Sequence, residues 1–187
     1  MARIPTNSEA QFESLYGEYR LLVLAYCARR TSASDAADVC AETFLVAWRR
    51  LDEVPEPPRT LPYLYGIAGN VLSNQLRTSR RRHRLAVKLA GLGVTPPEDP
   101  MTVVVQNSVD AQVLAAVRRL RPLDREIVML AAWEDLPREA IAEMLGLTKS
   151  AVDQRIHRSY RRMARMLEPS FARAGMTFPP VAGRDRA

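Results

Sequence analysis

The chain has 187 residues, of which 47% are hydrophobic, and its 27 Lys and Arg against 21 Asp and Glu give a formal net charge of +6. This length allows one large domain or two small ones with a proper core, and the positive charge suits a polyanionic partner. No apolar run reaches the length of a membrane span and the N-terminus lacks the apolar segment of a signal peptide, so we expect a cytoplasmic chain without membrane insertion.

Metal and disulfide chemistry are not expected. Two cysteines are too few for a disulfide framework, and we interpret Cys27 and Cys40 as reduced core thiols. The spacing of these cysteines with His83 and His157 matches no short metal-ligand pattern. We therefore expect no metal site and no cofactor.

The first two predicted helices are amphipathic. Ser8 with Gln11 matches a capping box, and aromatic and aliphatic residues recur at helical spacing from about Glu9 to Arg29. Ser34 is the predicted cap of a second helix over about Asp35–Arg50.

An acidic edge is predicted on the second helix, where Asp35, Asp38 and Glu42 are three and four residues apart. Acid–base chemistry would need a pocket and a partner group that nothing nearby offers. Docking of a basic helical partner and a merely solvated acidic face both remain open, with Phe44 and Trp48 extending an apolar surface beside the edge.

Four prolines predict a loop over about 52–62, followed by a long helix over about Pro62–Arg84. Leu64, Ala68, Val71 and other apolar residues, including Leu76, are expected to face the core. The opposite face is polar and basic, and Tyr63 and Tyr65 near its start could stack on unpaired bases. The residues of that polar face are Gly66, Asn70, Ser73, Asn74, Arg77 and Arg81.

Residues 89–106 are rich in glycine and proline and predict a linker, with a domain boundary there. Two further helices are predicted, one over about Asp110–Leu120 and one that begins at Pro122. The tail beyond Leu167 is expected to be loose.

Pro137–Arg162 predicts a helix-turn-helix. Pro137 suits a first helical position, Gly146 suits the left-handed end of that helix, and Thr148 can cap the next. Val152, Ile156, Tyr160 and Met163 would face inward, which leaves a polar and basic outer face. Such a second helix suits the major groove, where Arg grips guanine and Gln grips adenine. The outer face holds Ser150, Ala151, Gln154, Arg158 and Arg161, flanked by Arg155 and His157.

Two interpretations of this hairpin stay open. One is a DNA-binding helix-turn-helix, and the other is an ordinary helical hairpin with a solvated basic face, which would show the same pattern. Asp153 lies beside the outer face, where it would repel phosphate unless it accepts from a cytosine amino group or interacts with the helix dipole.

Three segments in this order resemble the extracytoplasmic-function class of the bacterial sigma-70 family, over about Phe12–Leu167. DAADVCAETFLVAW (Asp35–Trp48) resembles region 2.2, and LPYLYGIAGNVLSNQLRTSRRR (Leu61–Arg82) resembles regions 2.3 and 2.4. LRPLDREIVMLAAWEDLPREAIAEMLGLTKSAVDQRIHRS (Leu120–Ser159) resembles region 4.

The resemblance implies an all-α fold of two small domains: a region 2-like domain over 9–88, a linker over 89–108, a region 4-like domain over 109–167 and a tail over 168–187. It implies an RNA polymerase sigma factor without enzymatic activity. The implied partners are core polymerase, through its β′ clamp helices and β flap, promoter DNA and an anti-sigma factor.

The resemblance also assigns roles to residues. The polymerase dock is expected at Asp38, Glu42, Phe44 and Trp48. Contacts with the minus-ten element are expected at Tyr63, Asn70, Asn74, Arg77 and Arg81, with 54–60 as a loop that forms a pocket for a flipped base. Contacts with the minus-thirty-five element are expected at Lys149, Ser150, Gln154, Arg155, Arg158 and Arg161.

Departures from the family pattern accompany these roles. Gly66 and Gly69 stand where the family often has Arg, so we expect fewer phosphate contacts near Asn70. The reading positions of the second helix also differ from the common family run, which predicts an unusual minus-thirty-five preference.

Two other functions are considered. A free-standing helix-turn-helix repressor or activator would account for Pro137–Arg162 and leave the first domain unexplained. An enzyme built on Asp35, Asp38 and Glu42 would lack a phosphate loop and a nucleophile–base pattern.

Overall fold

The computed structural model describes residues 7–90 and 108–173, with side chains for 8–79, 81 and 111–168. All regular structure in these ranges is helical, which confirms the predicted all-α fold. The elements are α1 (Asn7–Ala28), α2 (Ala33–Arg49), a short 3-10 helix (Leu51–Glu53), α3 (Thr60–Ala90), α4 (Ser108–Arg118), α5 (Pro122–Ala132), α6 (Arg138–Leu145) and α7 (Lys149–Arg173).

The chain divides into two compact units, Met1–Val103 and Val104–Ala187. The division falls within the predicted linker, of which residues 91–107 lie outside the described residues. None of the helices described is both long and apolar enough to cross a membrane.

In the first unit α1, α2 and α3 pack against one another. Val23 and Cys27 from α1, Val39 from α2, and Leu64 and Ala68 from α3 are all buried completely. Such burial of apolar side chains contributes most of the stabilisation of a helical unit, because isolated helices are marginal in water. Cys27 and Cys40 are both buried thiols, which agrees with their predicted place in the core.

The start of α2 differs from the prediction. Ser32, not Ser34, is the N-cap, and its Oγ accepts from the Asp35 backbone N at 3.2 Å while donating to the Asp35 carboxylate at 2.7 Å. Ser32 is favoured because the residue three positions later is Asp35, whose carboxylate can bond back to the serine. The residue three positions after Ser34 is Ala37, which cannot form such a bond.

The third helix is longer than predicted at both ends. It begins at Thr60, so Pro62 lies in the first turn, where its missing N–H would have had no intrahelical partner. Its 31 residues span roughly 46 Å, more than α1 or α2. Leu76, expected in the core, is therefore 38% exposed beyond the packed part of the helix.

The second unit is built on α4 to α7, with Val117, Ile127, Leu130, Ile141 and Val152 at its core. Pro122 begins α5, as predicted. α7 continues to Arg173, so residues 168–173 are helical where a loose tail was expected. Residues 174–187 lie outside the described residues.

The helix-turn-helix is present, with α6 and α7 as its two helices. Gly146 ends α6 in the left-handed conformation at φ 64°, and Thr148 Oγ1 accepts from the Ala151 backbone N at 3.1 Å. Both features were predicted. Pro137 is the N-cap and not the first helical residue, because its ψ of 151° is extended.

Two glycine substitutions should have opposite effects on stability. Gly146→Ala forces a side chain into the left-handed region and should lower the free energy of unfolding by about 1–2 kcal/mol. Gly17→Ala lies within α1, where a Cβ would meet nothing within 4 Å. This change should raise the free energy of unfolding by about 0.5–1 kcal/mol.

The two tryptophans allow each unit to be followed separately, since Trp48 lies in the first and Trp133 in the second. Urea unfolding would be monitored by Trp48 fluorescence in a Trp133→Phe background, and by Trp133 fluorescence in a Trp48→Phe background. Equal stability of Gly146→Ala and its parent would contradict the left-handed helix end.

Candidate nucleic-acid interface

The outer face of α7 is open to solvent along its first three turns. Ser150, Gln154, Arg158 and Arg161 are exposed, whereas Val152, Ile156 and Met163 on the opposite side are buried. Arg158 Nε donates to the Gln154 carbonyl oxygen at 3.2 Å, which leaves its terminal nitrogens as the groups able to grip guanine. The predicted reading side chains therefore share one accessible surface, here called the reading face.

Two of the predicted DNA-contacting cations have carboxylate partners within the unit. Lys149 Nζ lies 2.6 Å from Glu139 Oε1, and Arg155 Nη1 donates to Asp124 Oδ1 at 2.7 Å. The hydrogen bond from Lys149 lowers the pKa of the Glu139 carboxyl, which keeps that carboxylate ionised. Arg155 and Asp124 are also the less exposed pair, so this contact ties α7 to α5 more firmly than surface pairs do. Arg158 and Arg161 are the cations best placed to meet DNA.

Asp153 is also paired. Its Oδ1 lies 3.1 Å from Nε of Arg138 at the start of α6. The arginine offsets the charge that was expected to repel phosphate. The charge of Asp153 is thus accommodated in a third way, by pairing with Arg138, besides the cytosine contact and the helix-dipole interaction considered from the sequence.

A second polar face follows α3 in the first unit. Asn70, Ser73, Asn74, Arg77 and Arg81 are exposed along it. Arg77 Nη2 donates to Asn74 Oδ1 at 2.9 Å, so these two side chains form one hydrogen-bonding group. The side chains of the arginines at 80, 82 and 84 lie outside the described residues.

The two tyrosines at the start of α3 have different surroundings. Tyr65 is buried and stacks on Tyr26 with ring centroids 4.6 Å apart, and the Arg30 guanidinium lies 3.6 Å from the Tyr26 centroid. Tyr65 is therefore unavailable to stack on bases, and the expectation for it was wrong. Helix residues two apart point about 200° apart, so only one of the pair can share the polar face. Half-buried Tyr63 remains as the candidate aromatic contact.

The same packing accounts for Gly69. A Cβ at this position would lie 3.3 Å from the Tyr26 hydroxyl oxygen, closer than side chains usually approach. Gly69 therefore allows the Tyr26 hydroxyl to approach α3 closely, and a larger residue there would require the Tyr26 side chain to shift.

The acidic edge of α2 is exposed at Asp38 and Glu42. Asp35 belongs instead to the helix cap, through its bond to Ser32. Trp48 is 39% exposed and contacts Phe12 edge-on at 5.0 Å. An acidic surface bordered by an exposed aromatic is suited to a protein partner with basic and apolar groups.

Phe44 does not belong to the exposed part of this surface, contrary to the prediction. It is 2% exposed and packs edge-on against Tyr16 at 4.9 Å, so it supports α2 from within. Sequence reasoning missed Leu45, which is 47% exposed. Its spacing was the available signal, because positions 38, 42 and 45 share one helix face.

Among the described residues, no group of three or more His, Cys, Asp or Glu could hold a metal ion. The faces described above are polar, basic or acidic, the acidic one bordered by exposed Leu45 and Trp48, and each is suited to a macromolecular partner.

Comparison with known proteins assigns the exposed faces of the two units to two regions of one family. Residues 15–82 match the family Sigma-70 region 2, and residues 110–163 match Sigma-70, region 4. The chain belongs to the sigma-70 family. Region 2 contains the acidic edge and the polar face of α3, and region 4 contains the reading face. Members of this family are DNA-binding transcription initiation factors.

Individual relatives indicate the extracytoplasmic-function (ECF) class. The chain is 30% identical over 158 residues to the ECF RNA polymerase sigma factor BldN of Streptomyces coelicolor, covering 83% of this chain and 60% of BldN. It is also 30% identical over 135 residues to RfaY of Xanthomonas campestris, covering 70% of this chain and 33% of RfaY. The chain therefore spans less than two thirds of the length of these two relatives.

A solved structure of CnrH in complex with the cytosolic domain of CnrY has the same fold, with a TM-score of 0.58 at 26% identity. The match covers 84% of this chain and 88% of CnrH. The family resemblance and the all-α fold drawn from the sequence are both confirmed.

Proposed function

We propose that this chain is an ECF RNA polymerase sigma factor, which directs core polymerase to promoters and is not itself an enzyme. The observation that carries the proposal is that regions 2 and 4 occur in order, and that each presents an exposed helix face of the required chemistry. The function requires the chain to act in the cytoplasm, where core polymerase and promoter DNA are found.

The acidic edge with Leu45 and Trp48 is the proposed dock for the β′ clamp helices. Its two carboxylates can pair with basic side chains, while the exposed apolar side chains can be buried on binding. The second unit would meet the β flap.

The polar face of α3 is the proposed contact for the minus-ten element, with Tyr63 stacking on an unpaired base and Asn70 hydrogen-bonding nearby. The reading face of α7 would enter the major groove at the minus-thirty-five element. Because arginine–phosphate contacts release counterions, promoter affinity should fall steeply with salt.

An anti-sigma factor is a further proposed partner. CnrH, which has the same fold as this chain, was solved in complex with the cytosolic domain of CnrY. A protein that covers the acidic edge would hold the chain away from polymerase.

The test is run-off transcription with purified core bacterial RNA polymerase on a pool of genomic promoters from the source organism. Transcripts that appear only when the chain is added would support the proposal. If duplex DNA is bound but no transcript appears, a free-standing helix-turn-helix regulator becomes the better account.

Asn70→Ala should slow promoter opening about tenfold while leaving duplex binding unchanged, since one hydrogen bond to an unpaired base contributes about 1–1.5 kcal/mol. Opening would be followed with a reagent that modifies unpaired thymine. Ser73→Ala, a change on the same exposed face, is the matched control. Equal opening rates for Asn70→Ala and the control would remove Asn70 from the minus-ten contact.

A further inference from the structure

Two ion pairs join the N-terminal ends of α6 and α7, and together they are here called the charge cluster. Lys149 begins α7, and its Nζ lies 2.6 Å from Oε1 of Glu139. One turn along the same helix, Asp153 Oδ1 lies 3.1 Å from Nε of Arg138. Arg138 and Glu139 are the first two residues of α6. Two cations and two carboxylates cancel, so the cluster carries no net charge.

Both pairs are too exposed to add much to the stability of the second unit. The side chains of Lys149 and Glu139 are 59% and 63% exposed, and those of the other pair are also partly exposed. Water and salt weaken ion pairs at such sites, so they contribute little to folding. The cations of the charge cluster can therefore exchange a carboxylate for another anion at little cost.

The charge cluster lies at the end of the motif that meets DNA. In a helix-turn-helix the second helix places its N-terminal residues against base edges, while the first helix crosses the phosphate backbone. Lys149 and Arg138 would therefore approach phosphates together with the carboxylates that hold them. The exposed arginines of the reading face, Arg158 and Arg161, lie further along α7.

We propose that the two carboxylates of the charge cluster, Glu139 and Asp153, determine specificity by holding their cations away from DNA phosphates. Binding to the minus-thirty-five element then depends on base contacts made by the reading face. The inference rests on the proposed function. Phosphate contacts carry no sequence information and strengthen binding to every duplex, so restraining two cations lowers affinity for wrong sequences.

Side-chain changes that remove charge and keep shape isolate this effect. Glu139→Gln and Asp153→Asn each remove one negative charge. Glu143→Gln is the matched control, because it makes the same change on an exposed residue one turn along α6 and outside the charge cluster. Lys149→Ala, alone and combined with Glu139→Gln, completes a double-mutant cycle. All these side chains are at least partly exposed, so the melting temperature should stay unchanged.

The experiment uses holoenzyme assembled from the full chain and core bacterial RNA polymerase. Two duplexes share the minus-ten element of a promoter found by run-off transcription. One retains its minus-thirty-five element, and in the other that element is scrambled. Affinities for both duplexes are measured by fluorescence anisotropy over a series of salt concentrations, and their ratio gives the discrimination by region 4.

We expect Glu139→Gln to raise affinity for the scrambled duplex about fivefold at moderate salt, the order of one added phosphate contact. The magnitude of the slope of log affinity against log salt should increase by about 0.9. Affinity for the intact duplex should rise less, because base contacts already fix the position of α7, so the discrimination ratio should fall. In the Lys149→Ala background the same change should have no effect. Asp153→Asn should act in the same direction as Glu139→Gln.

Three results would overturn the inference. A gain that persists in the Lys149→Ala background would mean that Glu139 repels DNA directly. An equal gain from Glu143→Gln would mean that net charge alone is responsible, and an unchanged discrimination ratio in Glu139→Gln would remove its role in specificity. In each case wild-type holoenzyme still distinguishes the two duplexes, and the sigma-factor function stands. If wild-type holoenzyme binds both duplexes equally, the proposed reading by region 4 and this inference both fail.

Discussion

Reversing both charges of the acidic edge, with Asp38→Arg and Glu42→Arg together, should abolish the binding of core polymerase. Each reversal would set a cation against the basic groups that this surface is proposed to meet. Like-charge contacts in an interface cost several kcal/mol, so a combined loss of about 4 kcal/mol, roughly a thousandfold in affinity, is expected. Binding would be measured by fluorescence anisotropy of the labelled chain titrated with core polymerase.

The matched control is Asp52→Arg with Glu53→Arg, which makes the same change in charge on exposed acids of the same unit. Glu53 pairs with Arg50 at 3.7 Å, but both side chains are largely exposed, so losing that pair costs little. The control should bind polymerase normally. Equal weakening by both double variants would mean that net charge, and not the acidic edge, governs the association.

The second large effect is expected on the reading face. Gln154→Ala with Arg158→Ala should weaken binding to the preferred minus-thirty-five element about a hundredfold, since each bidentate base contact contributes about 1–3 kcal/mol. Neither side chain is buried, so the melting temperature of the chain should stay unchanged. Holoenzyme binding to promoter duplexes, measured across single-base variants of the element, would test this.

The salt dependence of promoter affinity distinguishes contacts with bases from contacts with phosphates. Arg165→Ala removes an exposed arginine about two turns further along α7 and is the control. If Arg165 contacts a phosphate, its loss would reduce the magnitude of the slope of log affinity against log salt by about 0.9, without changing base preference. Loss of base preference in the double variant, with Arg165→Ala retaining it, is the expected result. An unchanged base preference in the double variant would contradict base reading by α7.

The helices themselves were predictable because their signals are local. Periodic apolar residues, Pro122 at a helix start, and Gly146 with Thr148 at the turn all act within one or two turns of chain. Exposure of the reading face followed from the same period, because Val152 and Ile156 had to face inward.

Errors arose where local signals competed. Ser32 and Ser34 are both acceptable caps, and the acid at position 35 favoured Ser32. For Tyr63 and Tyr65, helical spacing excluded a shared face, but only packing against Tyr26 showed which ring was buried.

The sequence by itself determined the helical elements, their order, and the two polar faces with the acidic edge, because one-dimensional periodicity decides which residues share a side. Tertiary structure decided which of those residues are available. Arg155 meets Asp124 across 31 positions, Phe44 lies beneath Tyr16, and Leu45 is left exposed. These outcomes depend on which side chains a neighbouring helix brings into contact, and the spacing of residues along one helix does not contain that information.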